Sequence, residues 1–459
     1  MNKNFVNRQS LEDLKRLDHE ETYSQHNIQF ESIAESLSEF YKDYENKDKI
    51  IQLLNAWLYF IRGLNESYGV DAVKEFGEGE FGCPIRFSFY YEYGFNIGNK
   101  ASIYKSKFLF SIFNAFLRRP LLPGAKVHSI YSKLRWRFAK FIIINIPIQR
   151  NYVRKSQLIE YIMKYFDGYF NEEDTVGIKS SLSCALPDVF CSDQVNVTTK
   201  KELNVECASW TFLEFSGFEK IFLLNRTTRV KGLQHGGGYF AYDPQYGTQF
   251  EESISDRYIG WGLSPGENER QHRYTHNYKN KNSPVMLTRL IWVEGSKSSI
   301  FNYFMWPKQI QQNYNLNSIA YISDEIRLTN ISHYSMPYPK YLRSDQYDRA
   351  RGIELPNITG LGENNIRKGD ILIFDESGQS LIHFCVEQQV PFIFIISRND
   401  ISGFSEKQVE WFDLMRAEKL AFFEDETGKL SARLVELFET EYELPEKLSN
   451  FQRKTFIDI

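Results

Sequence analysis

Residues 370–397, DILIFDESGQSLIHFCVEQQVPFIFIIS, constrain the fold more than any other stretch of the chain. They set a buried strand, a turn, a helix and a second strand within 28 residues, close to the shortest span in which a crossover helix joins two parallel strands. Such a unit needs further layers to cover it, so it predicts an α/β domain.

The surrounding sequence continues the same rhythm. One series begins near Asp188: a strand at DVFCSD, a helix through ELNVECASWTFLEFSG, a strand at KIFLLN and another at VKGLQ before HGGG. After a polar loop from Glu267 to Pro284 a second series starts with the strand VMLTRLIWVE, a helix near Tyr303 to Asn313 and the strand SIAYIS. It runs through the 28-residue unit to a helix at Glu406 to Glu418, the strand LAFFE and a helix at Thr427 to Phe438. Before all of this, Leu11 to Leu64 carries apolar residues at mixed three- and four-residue spacing and predicts helices. The expected fold class is α/β, with two Rossmann-like domains facing a cleft and a helical amino-terminal extension. The divisions are 1–180, helical, aromatic and basic; 181–283, the first Rossmann-like core; 284–440, the second; and 441–459, a tail.

Length and composition fit this plan. At 459 residues, with 42% hydrophobic and 25% charged residues, the chain is globular and large enough for more than one core. Its net charge of −4 hides an asymmetry: no acidic residue occurs between Glu92 and Glu160, and thirteen Lys and Arg between Lys100 and Lys155 leave the rest of the chain near −17. This separation suggests an anionic partner, or a basic face beside an acidic one. The cysteines at 83, 184, 191, 207 and 385 are scattered and odd in number, which suggests a reducing compartment. The polar amino terminus is unlike a signal peptide, and no apolar run reaches the roughly 18 to 20 residues of a membrane span.

The chemistry is expected in KGLQHGGGYFAYDPQYGTQFEESISDRYIGWG, Lys231 to Gly262. Gly236, Gly237 and Gly238 let a ligand approach the backbone closely, and His235 precedes them at the carboxyl end of a strand, the edge where open α/β sheets bind ligands. Glu251 and Asp256 follow, and a compact loop, helix and strand would let both face His235 as acid, base or nucleophile; Asp256 could equally cap or pair locally. A phosphate site is expected at DESGQS, where Ser377, Gly378 and Ser380 open a helix after a buried strand, a composition that simple capping also explains. Arg343 and Lys340 are candidate cations for an anionic ligand. There is no Walker A pattern, GxGxxG or GxSxG elbow, and His272 and His276 lack the glutamate of HExxH, so no metal site is expected.

QHGGGY, ISDRYIGWG, ILIFDESGQSLIHFCVEQQVPFI and LAFFEDETGKLSARLVELF together resemble a family of bacterial surface-polysaccharide transferases of the leptospiral type, related to Kdo transferases of glycosyltransferase B architecture. The resemblance spans roughly Ala185 to Phe438. It departs at His383, where the pattern has a glutamate that contacts the donor, and at Leu263, which replaces the second Trp of Trp-Gly-Trp. It implies transfer of a sugar, Kdo or a related ulosonic acid, from a CMP-activated donor to a lipopolysaccharide, O-antigen or capsule acceptor, with no metal or other cofactor. Residues 181–283 would then form the acceptor side with catalytic His235, Glu251 and Asp256 and with Gln234, Gly236, Gly237, Gly238 and Tyr239 around the sugar. Residues 284–440 would hold the nucleotide through Arg343, Ser377, Gly378, Ser380 and His383. A cytoplasmic enzyme, peripheral on an anionic membrane where a lipid-linked glycan sits, follows from the same reading. A CDP-glycerol-type glycerophosphotransferase and a nucleic-acid-binding protein using residues 100–155 are the other classes.

Overall fold

In the computed structural model the described residues are 19–78, 151–192, 203–207, 228–234, 246–261, 269–270, 284–293, 331–334, 366–374, 380–396, 404–423 and 425–457, with single positions at 222, 239, 241, 398 and 401.

The first described elements are helices: α1 (His19–Phe40), α2 (Lys47–Tyr68), α3 (Val70–Glu78), α4 (Tyr152–Tyr165) and α5 (Glu172–Ala185). The apolar stripe of α2, Leu53, Leu54, Trp57, Phe60, Ile61 and Leu64, is buried, as the spacing predicts. That helix ends at Gly69, whose φ of 81° suits glycine and whose N–H reaches the Asn65 carbonyl at 2.7 Å. Asn151 and Asn171 cap α4 and α5 by accepting from the N–H groups of Arg154 and Asp174 at 3.0 and 2.8 Å. Helices α3 and α5 touch backbone to backbone at Gly77, where a β-carbon would stand 2.3 Å from the Ser181 carbonyl oxygen. Between α1, α2 and α4 lies a buried polar cluster. His26 Nε2 donates to Asn55 Oδ1 at 2.6 Å, so its Nδ1 accepts from the Tyr165 hydroxyl at 2.6 Å. Nearby, Arg62 donates to Gln25, Gln29 and Glu66 at 2.7, 2.6 and 2.8 Å.

The first sheet contains β1 (Leu203–Cys207), β2 (Thr228–Leu233), β3 (Arg257–Gly260) and β4 (Glu269–Arg270), in that order and all parallel. Helix α6 (Tyr246–Ile254) joins β2 to β3 and packs on both and on α2. The helical layer is also tied to the sheet by Asn46, which donates to the Phe222 carbonyl at 2.9 Å and accepts from the Thr228 N–H at 3.3 Å.

The second sheet is built from β6 (Arg289–Val293), β7 (Ile331–Tyr334), β8 (Asp370–Phe374), β9 (Phe392–Ile396) and β10 (Ala421–Phe423), all parallel and ordered β10-β9-β8-β6-β7. Helix α7 (Ser380–Gln388) joins β8 to β9, α8 (Glu406–Ala417) joins β9 to β10, and α9 (Thr427–Glu439) follows β10. The expected strand, helix and strand are therefore present, with residues 375–379 between the first two outside the described residues. Strands β8 and β9 are buried along their whole length, which a parallel sheet covered on both faces requires. Phe392 and Phe394 meet Trp411 of α8 edge-on at 5.9 and 5.4 Å. A two-stranded antiparallel pair, β5 (Val285–Met286) with β11 (Glu441–Tyr442), closes the base. Beyond it, α10 (Glu446–Gln452) runs into a π-helical turn at Arg453–Ile457 that packs on α7, so residues after 440 are part of the fold.

Three expected elements differ. LNVEC, assigned to a helix, is β1: its apolar residues alternate, and pairing with β2 outweighs helix propensity. DVF of DVFCSD is a 3-10 turn rather than a strand, started by Pro187, whose carbonyl accepts from the Phe190 N–H at 3.1 Å. VMLTRLIWVE divides into β5 and β6. The Thr288 N–H is bonded to the Gly369 carbonyl at 2.7 Å there, which interrupts the run. The segments FSFYYEYGF, KIFLLN apart from Phe222, Tyr303 to Asn313, SIAYIS and residues 100–150 lie outside the described residues. Among the described residues no helix is long and apolar enough to cross a membrane, and Cys184 and Cys385 are free thiols.

Candidate functional site

The order of the second sheet fixes where a ligand can bind. The strand after β6 lies on one side of it and β8 on the other, so the connections leaving β6 and β8 diverge. A crevice opens outside the carboxyl ends of strands at such a switch point. Those ends are Val293 and Phe374, which are paired in register, and residues 375–379 lead from Phe374 to Ser380, the first residue of α7. At the opposite end of the same two strands the register is held by an ion pair. Arg289 Nε and Nη2 donate to the two Asp370 oxygens at 2.8 and 2.5 Å, and the Arg367 N–H adds a third bond to Oδ2 at 2.6 Å. Asp370 is only 2% exposed, and its carboxylate pushes the Arg289 guanidinium above its ordinary range.

The first sheet presents its own carboxyl edge to this region. The Gln234 N–H bonds the Ile259 carbonyl at 2.9 Å, and its side-chain oxygen accepts from the Trp261 N–H at 2.7 Å, so the residues leaving β2 and β3 are locked together. The Trp261 ring meets the His383 ring of α7 edge-on, with centroids 5.4 Å apart at 73°. Phe456 of the turn Arg453–Ile457 also meets His383 edge-on, at 5.5 Å and 90°. A second junction joins the Ala241 carbonyl to the N–H of Ser405, the cap of α8, at 3.0 Å. The residues that leave β2 and β3 thus touch the first turns of the helices that leave β8 and β9.

The candidate residues distribute unevenly over this arrangement. Gln234 and His383 are brought to the junction, and Tyr239 is buried just before Ala241. His383 is 3% exposed, with its ring in the contact between the two sheets. Ser380 opens α7. His235, Gly236, Gly237, Gly238, Arg343, Lys340, Ser377 and Gly378 lie outside the described residues.

Glu251 and Asp256 are not brought together. Glu251, on α6, has no exposed surface, and its Oε2 accepts from the Tyr258 hydroxyl at 3.0 Å. Burial first, and the Glu251 and Tyr239 side chains next, push the Tyr258 hydroxyl well above the usual tyrosine range. Tyr258 therefore stays a neutral donor to Glu251. Asp256 stands at the amino end of β3, with its side chain 41% exposed: its Oδ2 accepts from the Val230 N–H at 2.7 Å, and Lys49 Nζ lies 2.9 and 2.8 Å from Oδ1 and Oδ2. Trp261, at the other end of β3, marks the edge that meets α7. Trp261 and Phe456 are the site residues that sequence reasoning did not single out. The Trp-Gly step was visible, but the partner ring lies 122 residues away and Phe456 is further still.

Among the described residues, no group of three or more His, Cys, Asp or Glu is placed to hold a metal ion. Comparison with family models, with curated proteins and with solved structures returned no match for this chain.

Proposed function

We propose that the chain is a glycosyltransferase of glycosyltransferase-B-like arrangement that moves a sugar, Kdo or a related ulosonic acid, from a CMP-activated donor to a surface-glycan acceptor. The observation that carries this reading is the meeting of two parallel sheets at their carboxyl edges, with the switch point of the second sheet opening beside the junction. A nucleotide at Val293 and Phe374 would set its phosphate against the start of α7, where backbone N–H groups lack partners within the helix. The acceptor would approach from the segment that follows Gln234. In this reading His235 carries proton transfer or stabilises developing charge, with the glycines making room for the sugar. Glu251 acts through the Tyr258 hydroxyl, and Asp256 fixes the amino end of β3. Peripheral association with an anionic membrane, through the cations of residues 100–155, belongs to the same proposal.

The test is a thermal-shift titration of the full chain with CMP, CDP, UDP and GDP. CMP is expected to raise the midpoint with the logarithm of its concentration above Kd, by the equivalent of about 2.7 kcal/mol when present at one hundred times its Kd. A response selective for CDP favours the glycerophosphotransferase class, and no response to any nucleotide sinks the transferase reading.

A further inference from the structure

Two strands away from β8, at the outer edge of the second sheet, a cleft of about 390 Å³ lies between the end of α8, the edge strand β10 and α9. Ala421, Phe422 and Ala432 contribute apolar surface, while Arg416, Lys419, Lys429 and Arg433 face Glu426 and Glu436. Four cations against two carboxylates leave the cleft two positive charges in excess.

The carboxylates do not cancel what a ligand would meet. Glu426 accepts from Arg416 at 2.6 and 3.2 Å, from Lys429 at 2.8 Å and from the Phe423 N–H at 2.9 Å, so it is saturated. It works as a bracket that holds Arg416 and Lys429 in place. Arg416, by the same bonds, keeps the Glu426 carboxyl far below the usual carboxylate range. Glu436 sits half-exposed at the rim, 2.8 Å from Arg433 Nη1. The Arg433 side chain lines the cleft and is 17% exposed, with its Nε closed to solvent.

We propose that this cleft binds a small soluble phosphomonoester, separately from the switch-point crevice. Guanidinium groups match phosphate oxygens in paired geometry, bracketed cations lose little freedom on binding, and the apolar surface suits the ester's carbon body. Charges that only guard the exposed edge of β10 against pairing with other chains would also gather here, but they would give no saturable site.

The experiment is calorimetric titration of the full chain with inorganic phosphate and with glycerol 3-phosphate, on wild type, Lys419→Ala and Arg433→Gln. One saturable site is expected, with the ester tighter than inorganic phosphate and each variant weaker by about tenfold, the loss of one charge-assisted bond. The Lys419→Ala variant changes an exposed side chain and keeps the fold testable if Arg433→Gln does not fold. Absence of a saturable site, or affinity unchanged in Lys419→Ala, overturns the proposal. CMP is itself a phosphomonoester, so the donor site is followed on the same samples with a CMP-sugar, a phosphodiester; its response should be equal in all three proteins, so failure here is distinguishable from failure of the transferase reading.

Discussion

The ion pair between Arg289 and Asp370 gives the sharpest test of how the crevice is held. Asp370→Asn keeps the side-chain shape but removes the charge that receives three donors at 2.8, 2.5 and 2.6 Å. Removing one partner of a fully buried pair costs about 3–5 kcal/mol because the other charge is stranded. Here the Arg289 side chain is about a fifth exposed and can be partly rehydrated, which lowers the expected cost to about 2–4 kcal/mol. Strands β6 and β8 would open locally more often, and the slowest-exchanging amides of Leu290 to Trp292 and Ile371 to Ile373 should exchange roughly 30- to 700-fold faster, one decade per 1.4 kcal/mol. Native-state hydrogen exchange read by NMR or mass spectrometry measures this directly. The double variant Arg289→Met/Asp370→Leu, which leaves no stranded charge, should recover much of the loss. Exchange in Asp370→Asn within threefold of wild type would refute the argument that this pair sets the register.

Further consequences can be measured. Gly77→Ala gains helix propensity of about 1 kcal/mol but drives a β-carbon to 2.3 Å from the Ser181 carbonyl, so a net destabilisation of about 1–3 kcal/mol is expected in denaturant titration. His26 is held neutral by burial, with its pKa lowered to about 3 from 6.5. Its depressed folded-state value means the unfolded chain binds the proton first, so stability is present above pH 6.5 and falls by about 1.4 kcal/mol per pH unit from there toward pH 3. His26→Gln should flatten the part of the melting-temperature profile between pH 6.5 and 5 that this residue supplies. Trp261→Ala removes one of the two rings closing on His383 and should weaken the CMP response several-fold, while Asp256→Asn should cost about 1 kcal/mol of stability and leave nucleotide binding unchanged.

Much of the second sheet was legible because its residues agree at every level. DILIF and PFIFII have the apolar, β-branched and aromatic composition of buried parallel strands, and Ser405 stands where α8 needs a cap. The first sheet was harder. LNVEC alternates as a strand should, yet it sits among Glu, Leu and Ala residues that favour helix, and only its partner β2 decides between them. At the site, the strand edge before His235 could be placed from VKGLQ, because the apolar run ends at Gln234. The separation of Glu251 from Asp256 could not, since it depends on which face α6 turns to the core and on Lys49, a residue about two hundred positions earlier. The same is true of the order of the second sheet, which rests on a long-range pairing with no local signature.

That pairing also sets a timetable for folding. Strands β8 and β9 are joined through one short helix and can associate early, whereas β6 must close a loop of about eighty residues, the separation between Arg289 and Asp370, before the switch point exists. The contact of His383 with Phe456 cannot form until the chain through Phe456 has left the ribosome. The crevice is therefore among the last features to be completed. A nascent chain still lacking the turn Arg453–Ile457 would have its buried parallel strands in place while the junction between the sheets was still open.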